Sequence, residues 1–81
     1  MEIKVLGPGC AKCKQLHRLV ETVVEENNIK ASIAKVEDIV EIMNYGIMIT
    51  PGLVINNKVV LKGYVPSKDE LKKIIEVNLN E

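Results

Sequence analysis

The feature that most constrains the fold of this chain is a pair of cysteines placed between a strand-like and a helix-like segment. Residues 9–13 read Gly-Cys-Ala-Lys-Cys, and Cys10 and Cys13 are the two cysteines of the sequence. Residues 3–6 before them form a short apolar run. Leucines and valines after them recur at spacings of three and four residues, which is typical of an amphipathic helix. The pair is therefore predicted to lie in the turn from a first strand to a first helix.

A cysteine pair at the start of a helix is suited to thiol–disulfide chemistry. Free backbone N–H groups and the helix dipole stabilise anions there, and the same setting lowers the pKa of a cysteine. On a helical wheel of about 100° per residue, Cys13 falls beside the buried stripe, and Cys10 lies farther out. We therefore expect Cys10 to be the attacking thiolate and Cys13 the sheltered, resolving thiol. Lys12 and Lys14 add positive charge that favours the thiolate.

Three other interpretations of the Cys10–Cys13 pair stay open at this point. Two thiolates suffice to carry a soft metal such as Cu(I), with His17 as a further ligand, although a structural zinc site normally needs four ligands. The pair could form a structural disulfide, but so short a loop stabilises little by loop closure. It could also belong to a binding module that senses redox state without turnover. His17 could alternatively tune the thiolate.

Composition limits the chain to one small domain with no obvious polyanionic partner. The chain has 81 residues, of which 47% are hydrophobic, so we expect a single domain over residues 1–81. Lys+Arg and Asp+Glu both number 11, which predicts no nucleic-acid or membrane-surface binding. No apolar stretch is long enough for a membrane span or a signal core, so we expect a cytoplasmic protein. In a reducing cytosol a Cys-x-x-Cys pair is usually catalytic or metal-binding.

The periodicity of the remaining sequence predicts the element order β-α-β-α-β-β-α. The predicted strands are residues 2–6, 29–36, 53–55 and 58–62, and the predicted helices are residues 10–27, a short one from residue 37, and a last one from residue 67. In the short helix Ile39, Ile42 and Met43 are expected to point inward, and Gly46 to end it in a left-handed conformation. Asn56-Asn57 is a candidate hairpin turn.

These elements predict an α/β fold with a four-stranded mixed sheet that has helices on both faces. The tight turn makes the last two strands antiparallel, whereas the first three are joined through helices and can be parallel. A Ser-Lys-Asp-Glu capping box at residues 67–70 starts the last helix. Its inner face is expected to hold Leu71, Ile74, Ile75 and Leu79.

The dithiol, together with the segment Tyr-Gly-Ile-Met-Ile-Thr-Pro at residues 45–51, resembles the thioredoxin and glutaredoxin superfamily. The strand and turn at residues 53–63 continue the likeness, which covers nearly the whole chain. The chain is most similar to the small archaeal and bacterial thioredoxin-like proteins called redox-active disulfide protein 2. The resemblance implies a thioredoxin-like fold and a dithiol–disulfide oxidoreductase. It also implies that the Thr50–Pro51 bond is cis and faces the dithiol.

The resemblance carries expectations about substrates and partners. The backbone N–H and C=O of Thr50, beside Pro51, are expected to pair with an extended segment of a disulfide-containing protein substrate. The Cys10–Cys13 redox-active disulfide is expected to serve without a bound cofactor or metal. A separate reductase must then return electrons, because the chain is too short for a flavin or nucleotide domain. The protein is expected to act as a monomer.

Overall fold

The fold is described from a computed structural model, in which residues 1–79 are described. The elements follow the order β1 (Glu2–Leu6), α1 (Ala11–Glu26), β2 (Ser32–Val36), α2 (Ile39–Asn44), β3 (Gly52–Ile55), β4 (Lys58–Lys62) and α3 (Lys68–Leu79). This confirms the predicted order β-α-β-α-β-β-α. The four strands form one sheet in the order β2-β1-β3-β4, so β1 and β3 are its central strands.

The direction of β3 differs from the sequence-based expectation. β2 runs parallel to β1, but β3 is antiparallel to β1, and β4 is antiparallel to β3. A parallel return would need a crossover long enough to bring the chain back along the whole sheet. α2 has only six residues, about 9 Å of helix, so the chain stays near the edge where β1 ends. Leu6 consequently pairs with Gly52, and β3 starts beside the end of β1.

One face of the sheet packs against α1 and α3. Alternate residues of β1 and β3 point to this face, because successive side chains of a strand alternate. The buried core on this side consists of Ile3, Val5, Leu16, Val20, Val23, Leu53, Ile55, Leu61, Leu71 and Ile75. Leu79, expected on the inner face of α3, is 46% exposed, so the last turn of that helix extends past the core.

The opposite face carries a smaller core beneath α2. It is formed by Leu6, Val36, Ile42, Ile47 and Val54. Ile42 is buried as expected, but Ile39 and Met43 were wrongly predicted to point inward: they are 59% and 58% exposed. In this six-residue helix Ile42 is the buried residue, so the apolar residues on either side of it are not covered by the sheet. Three apolar side chains of α2, those of Ile39, Val40 and Met43, therefore face solvent.

Asparagines supply the turns, as their sequence positions predicted. Asn28 has φ 51° and follows α1, and the N–H of Ile29 donates to the Val24 carbonyl at 3.0 Å, which ends the helix in a Schellman motif. Ile29 is thus part of the helix end, which explains why β2 starts only at Ser32. Asn56 and Asn57 have φ values of 50° and 67°, the conformation of a tight hairpin turn.

Candidate active site

Both cysteines lie at the start of α1. Cys10 is the N-cap residue, and its Sγ accepts a hydrogen bond from the backbone N–H of Cys13 at 3.2 Å. The two sulfurs are joined in a disulfide, with the Cα atoms 5.0 Å apart. Cys10 is exposed, whereas Cys13 is only 5% exposed. An N–H directed at Cys10 Sγ and the positive end of the helix dipole both stabilise negative charge on that sulfur.

Gly7 permits the close approach of Cys13 to the end of β1. A Cβ atom at residue 7 would overlap the Sγ of Cys13 and lie 2.9 Å from its Cβ, with the Cβ of Thr50 at 3.8 Å. The backbone N–H of Gly7 donates to the Val36 carbonyl at 2.9 Å, which holds the glycine against β2. Cys13 and Thr50 therefore both lie next to the position that a side chain of residue 7 would occupy, and only a glycine fits there.

The segment before β3 brings Thr50 and Pro51 to the dithiol. The Thr50–Pro51 peptide bond is cis, the geometry that the resemblance implied. Pro51 is buried, and its carbonyl accepts a hydrogen bond from the N–H of Gly63 at 2.7 Å. Among the loop hydrogen bonds within residues 1–79, none uses the backbone N–H or C=O of Thr50. These two groups remain available to an added strand.

An exposed apolar surface adjoins the dithiol on the side of α2. Met48 is 92% exposed and Ile49 is 63% exposed, and both directly precede Thr50. A groove of about 570 Å³ runs along this surface, and it is lined by Pro8, Ile39, Ile42, Met43, Ile47, Met48 and Thr50. Sequence reasoning assigned Ile39 and Met43 to the core and missed the groove. The signal was available in Met48 and Ile49, two apolar residues that lie between α2 and β3 and belong to neither element.

The basic residues of α1 differ in their relation to the cysteines. The side chain of Lys12, predicted to tune the thiolate, is exposed. Lys14 and His17 line a cleft that also borders Cys13, and the cleft is completed by Lys35 and other residues of the sheet side. Within residues 1–79, no three side chains of His, Cys, Asp or Glu are grouped closely enough to hold a metal ion.

The loop between β4 and α3 contacts Ile49, two residues before the cis proline. Gly63 has φ +86°, and a Cβ there would lie 3.2 Å from Cγ2 of Ile49, so the loop is packed on the segment before Pro51. Tyr64 donates its hydroxyl hydrogen to Glu70 Oε2 at 2.6 Å. This hydrogen bond to the neutral phenol raises the pKa of Tyr64. The Glu70 carboxylate, expected to cap α3, thus holds the tyrosine, while Ser67 Oγ accepts from the Glu70 N–H at 3.2 Å.

Known proteins resemble this chain over most of its length. A family model described as thioredoxin domain matches residues 1–76. The chain is 39% identical over 71 residues to a thioredoxin of Methanocaldococcus jannaschii, covering 88% of this chain and 81% of that protein. It is 35% identical over 75 residues to a thioredoxin of Methanothermobacter thermautotrophicus, covering 93% of this chain and 97% of that one.

A solved structure supports the fold. Thioredoxin 1 from Thermosipho africanus superposes with a TM-score of 0.66 at 19% identity, covering 99% of this chain and 96% of that chain. The family model, the archaeal relatives and the Cys10–Cys13 pair make this protein a thiol–disulfide oxidoreductase, an enzyme that exchanges a dithiol for the disulfide of a substrate. The chain belongs to the thioredoxin family. None of the helices within residues 1–79 is long and apolar enough to span a membrane.

Proposed function

We propose that Cys10 is the nucleophile of this oxidoreductase and Cys13 its resolving thiol. The observation that carries the assignment is the contrast between the two sulfurs: Cys10 is exposed at the N-cap, whereas Cys13 is 5% exposed. The Cys10 thiolate attacks a substrate disulfide, forms a mixed disulfide and releases one substrate thiol. Cys13 then attacks Cys10, which releases the second substrate thiol and regenerates the Cys10–Cys13 disulfide.

The oxidised protein has to be reduced again by a separate enzyme. No cofactor is required in this scheme, because the two electrons are carried by the Cys10–Cys13 pair alone. We place the cycle in a reducing compartment such as the cytoplasm, where Cys-x-x-Cys pairs ordinarily stay catalytic instead of permanently bridged. Soft-metal carriage through the two cysteines is the competing function. It has less support than the redox function, because the family model and the archaeal relatives are thioredoxins.

The order of thiol reactivity tests the assignment. When the reduced protein is alkylated with iodoacetamide near neutral pH, Cys10 is expected to react roughly tenfold faster than Cys13, because the thiolate is the reactive species. Peptide mass spectrometry of samples quenched at short times measures both rates. Lys12→Ala should slow the labelling of Cys10 if the lysine charge favours its thiolate. Arg18→Ala, which removes a positive charge farther along α1, serves as the control. Faster labelling of Cys13 would reverse the roles.

The substrate is a protein segment with apolar side chains next to its disulfide. Such a segment pairs with the free backbone groups of Thr50, and its side chains rest on Met48 and in the groove beside Met43. Met48, 92% exposed beside the dithiol, contributes little to the core, so its apolar surface is available for binding.

Met48→Glu is expected to weaken the use of a protein disulfide without harming the chemistry. Loss of the burial of one Met side chain, worth about 1.5–3 kcal/mol, should raise KM for a protein disulfide such as insulin by roughly tenfold or more, with kcat little changed. The rate with a small aromatic disulfide should stay the same. Val77→Glu, at an apolar residue of α3 that is 61% exposed, is the matched control. Equal effects of the two variants would rule out a docking role for Met48.

A further inference from the structure

A cleft reaches the buried sulfur of the dithiol on the α1 side of the sheet, away from the groove beside α2. Its volume is about 330 Å³, and its wall includes Cys13, Val5 of β1 and four side chains able to carry charge, which are Lys14, His17, Lys35 and Glu37. The apolar side chain of Val5, on the strand beneath Cys13, can neither donate nor accept a proton. Any side chain that exchanges a proton with Cys13 must therefore come from the rest of the cleft wall.

His17 is the cleft residue whose position suits a proton acceptor for Cys13. The two residues lie four positions apart on α1, which puts them on one face of the helix. A helical side chain leans toward the N-terminus and covers the preceding turn, so the imidazole of His17 lies over the turn that holds Cys13. At 17% side-chain exposure, the ring is held against the protein but still reaches solvent.

Glu21 determines which ring nitrogen of His17 is free. Its Oε1 lies 3.1 Å from Nδ1 of His17. The carboxylate thus occupies the Nδ1 side of the ring, and Nε2 is the nitrogen that it leaves open to a second partner. Nε2 is thus left as the basic nitrogen of a residue that shares the cleft with Cys13.

The other charged groups around the imidazole are less suited to accept a proton from Cys13. Lys14, Arg18 and Glu21 surround it on α1, Lys35 faces it from β2, and Glu37 faces the cleft from the following loop. Lysine and arginine are already protonated near neutral pH and cannot accept a proton. Glu37 sits at the mouth, where its Oε2 would be 3.4 Å from a Cβ on Gly9. The Glu37 carboxylate therefore lies beside Gly9, the residue before Cys10.

The resolving step needs a proton acceptor at this place. Cys13 attacks as a thiolate, yet burial disfavours the charged form of a thiol. With Cys13 only 5% exposed, its proton leaves most readily to a base on the cleft wall, directly or through one water molecule. After the attack, the departing substrate thiolate needs a proton in return.

We infer that His17, held by Glu21, accepts the Cys13 proton in the resolving step, an inference that rests on the proposed roles of the two cysteines. The proton passes from Cys13 Sγ to Nε2 of His17, and the thiolate attacks Sγ of Cys10. The Cys10–substrate disulfide breaks as the Cys10–Cys13 bond forms. The substrate leaves as a thiolate and takes the proton from the imidazolium. Over the two steps together the cysteine pair loses two electrons, and the two sulfurs of the substrate disulfide gain them and leave as thiols.

A stoichiometric reaction of the reduced protein with dithiobis(nitrobenzoate) isolates this step. Attack by Cys10 releases one coloured nitrothiobenzoate anion, and attack by Cys13 on the Cys10 adduct releases the second. The second phase is first-order and independent of reagent concentration, so a stopped-flow pH series measures the resolving rate alone. In the wild type this rate should rise with pH through an inflection, because the base must be free of its own proton before it can accept one from Cys13.

His17→Gln should remove that inflection and slow the second phase by about 10²-fold near neutral pH, while the first phase stays unchanged. Glu21→Gln should keep the inflection and slow the second phase by less than His17→Gln does, because the ring loses the carboxylate that holds it in place. Glu37→Gln, which removes a charge from the same cleft, should leave the profile as in the wild type. Circular dichroism of each variant checks that the fold is retained.

An unchanged second phase in His17→Gln overturns the role of His17. Loss of the inflection in Glu37→Gln, but not in His17→Gln, overturns it in favour of the loop carboxylate. Failure of the proposed function has a different signature: the wild type would then release only one nitrothiobenzoate, or Cys13→Ser would still release two. The slower second phase expected of Glu21→Gln keeps the inference testable even if His17→Gln does not fold, and an unchanged rate in Glu21→Gln would then overturn it.

Discussion

Replacing Cys10 with serine is expected to abolish turnover of a disulfide substrate, whereas replacing Cys13 is expected to stop the reaction halfway. A serine hydroxyl at the N-cap keeps the helix start, because serine is itself a favoured N-cap residue, but it does not form the attacking thiolate. Cys10→Ser should thus reduce insulin no faster than the uncatalysed reaction. Cys13→Ser retains the Cys10 thiolate and should accumulate a stable mixed disulfide with the substrate.

Non-reducing electrophoresis and mass spectrometry of the trapped species distinguish the two variants. The adduct in Cys13→Ser should be bonded through Cys10 and be released by dithiothreitol. The double variant lacking both thiols is the matched control and should form no adduct. If Cys10→Ser instead accumulated the adduct through Cys13, the direction of the reaction would be the reverse of the one proposed.

The second large effect is expected from Gly7→Ala. The new methyl group would overlap Cys13 Sγ and lie 2.9 Å from its Cβ. Gly7 cannot move away freely, since its N–H is bonded to the Val36 carbonyl at 2.9 Å. Overpacking of this kind costs about 1–3 kcal/mol, and the free energy of unfolding of the oxidised protein should fall by that amount in urea denaturation.

A double-variant cycle locates the clash. In a Cys13→Ala background the overlapping Sγ is gone, so adding Gly7→Ala should cost less than half as much as it does in the reduced protein with Cys13 present. Both members of the comparison then lack the disulfide. A full, additive cost in the two backgrounds would mean that the methyl group is crowded by something other than the sulfur, such as Thr50.

Features set by neighbours along the chain were predictable from the sequence. The turn holding Cys10 and Cys13, the paired asparagines of the hairpin and the start of α3 at Ser67 each depend on local residue types, and each is found in the fold. The likeness of residues 45–51 to thioredoxins also predicted which segment faces the dithiol. In the structure Thr50 and Cys13 both lie within 4 Å of the position that a Cβ atom of Gly7 would take.

Features that depend on distances across the sheet were not predictable in this way. The reversed direction of β3 follows from the short reach of α2, and periodicity alone does not report that reach. The exposure of Met43 follows from how little of the sheet so short a helix covers. The cleft beside Cys13 combines α1 with Lys35 of β2 and Glu37 beyond it, which are distant in sequence and carry no shared motif.

The antiparallel pairing of β1 and β3 divides the protein into a reactive end and an end suited to attachment. Leu6 and Gly52 pair at the reactive end, next to the cysteines. At the other end the N–H of Asn56 donates to the Glu2 carbonyl at 2.8 Å, so the hairpin tip lies beside Met1. A fluorophore, a surface tether or a fused domain joined at Met1 or Asn57 would therefore leave the dithiol unobstructed. Because the attachment end and the dithiol lie at opposite ends of the sheet, the protein is well suited to the construction of redox-active fusion proteins.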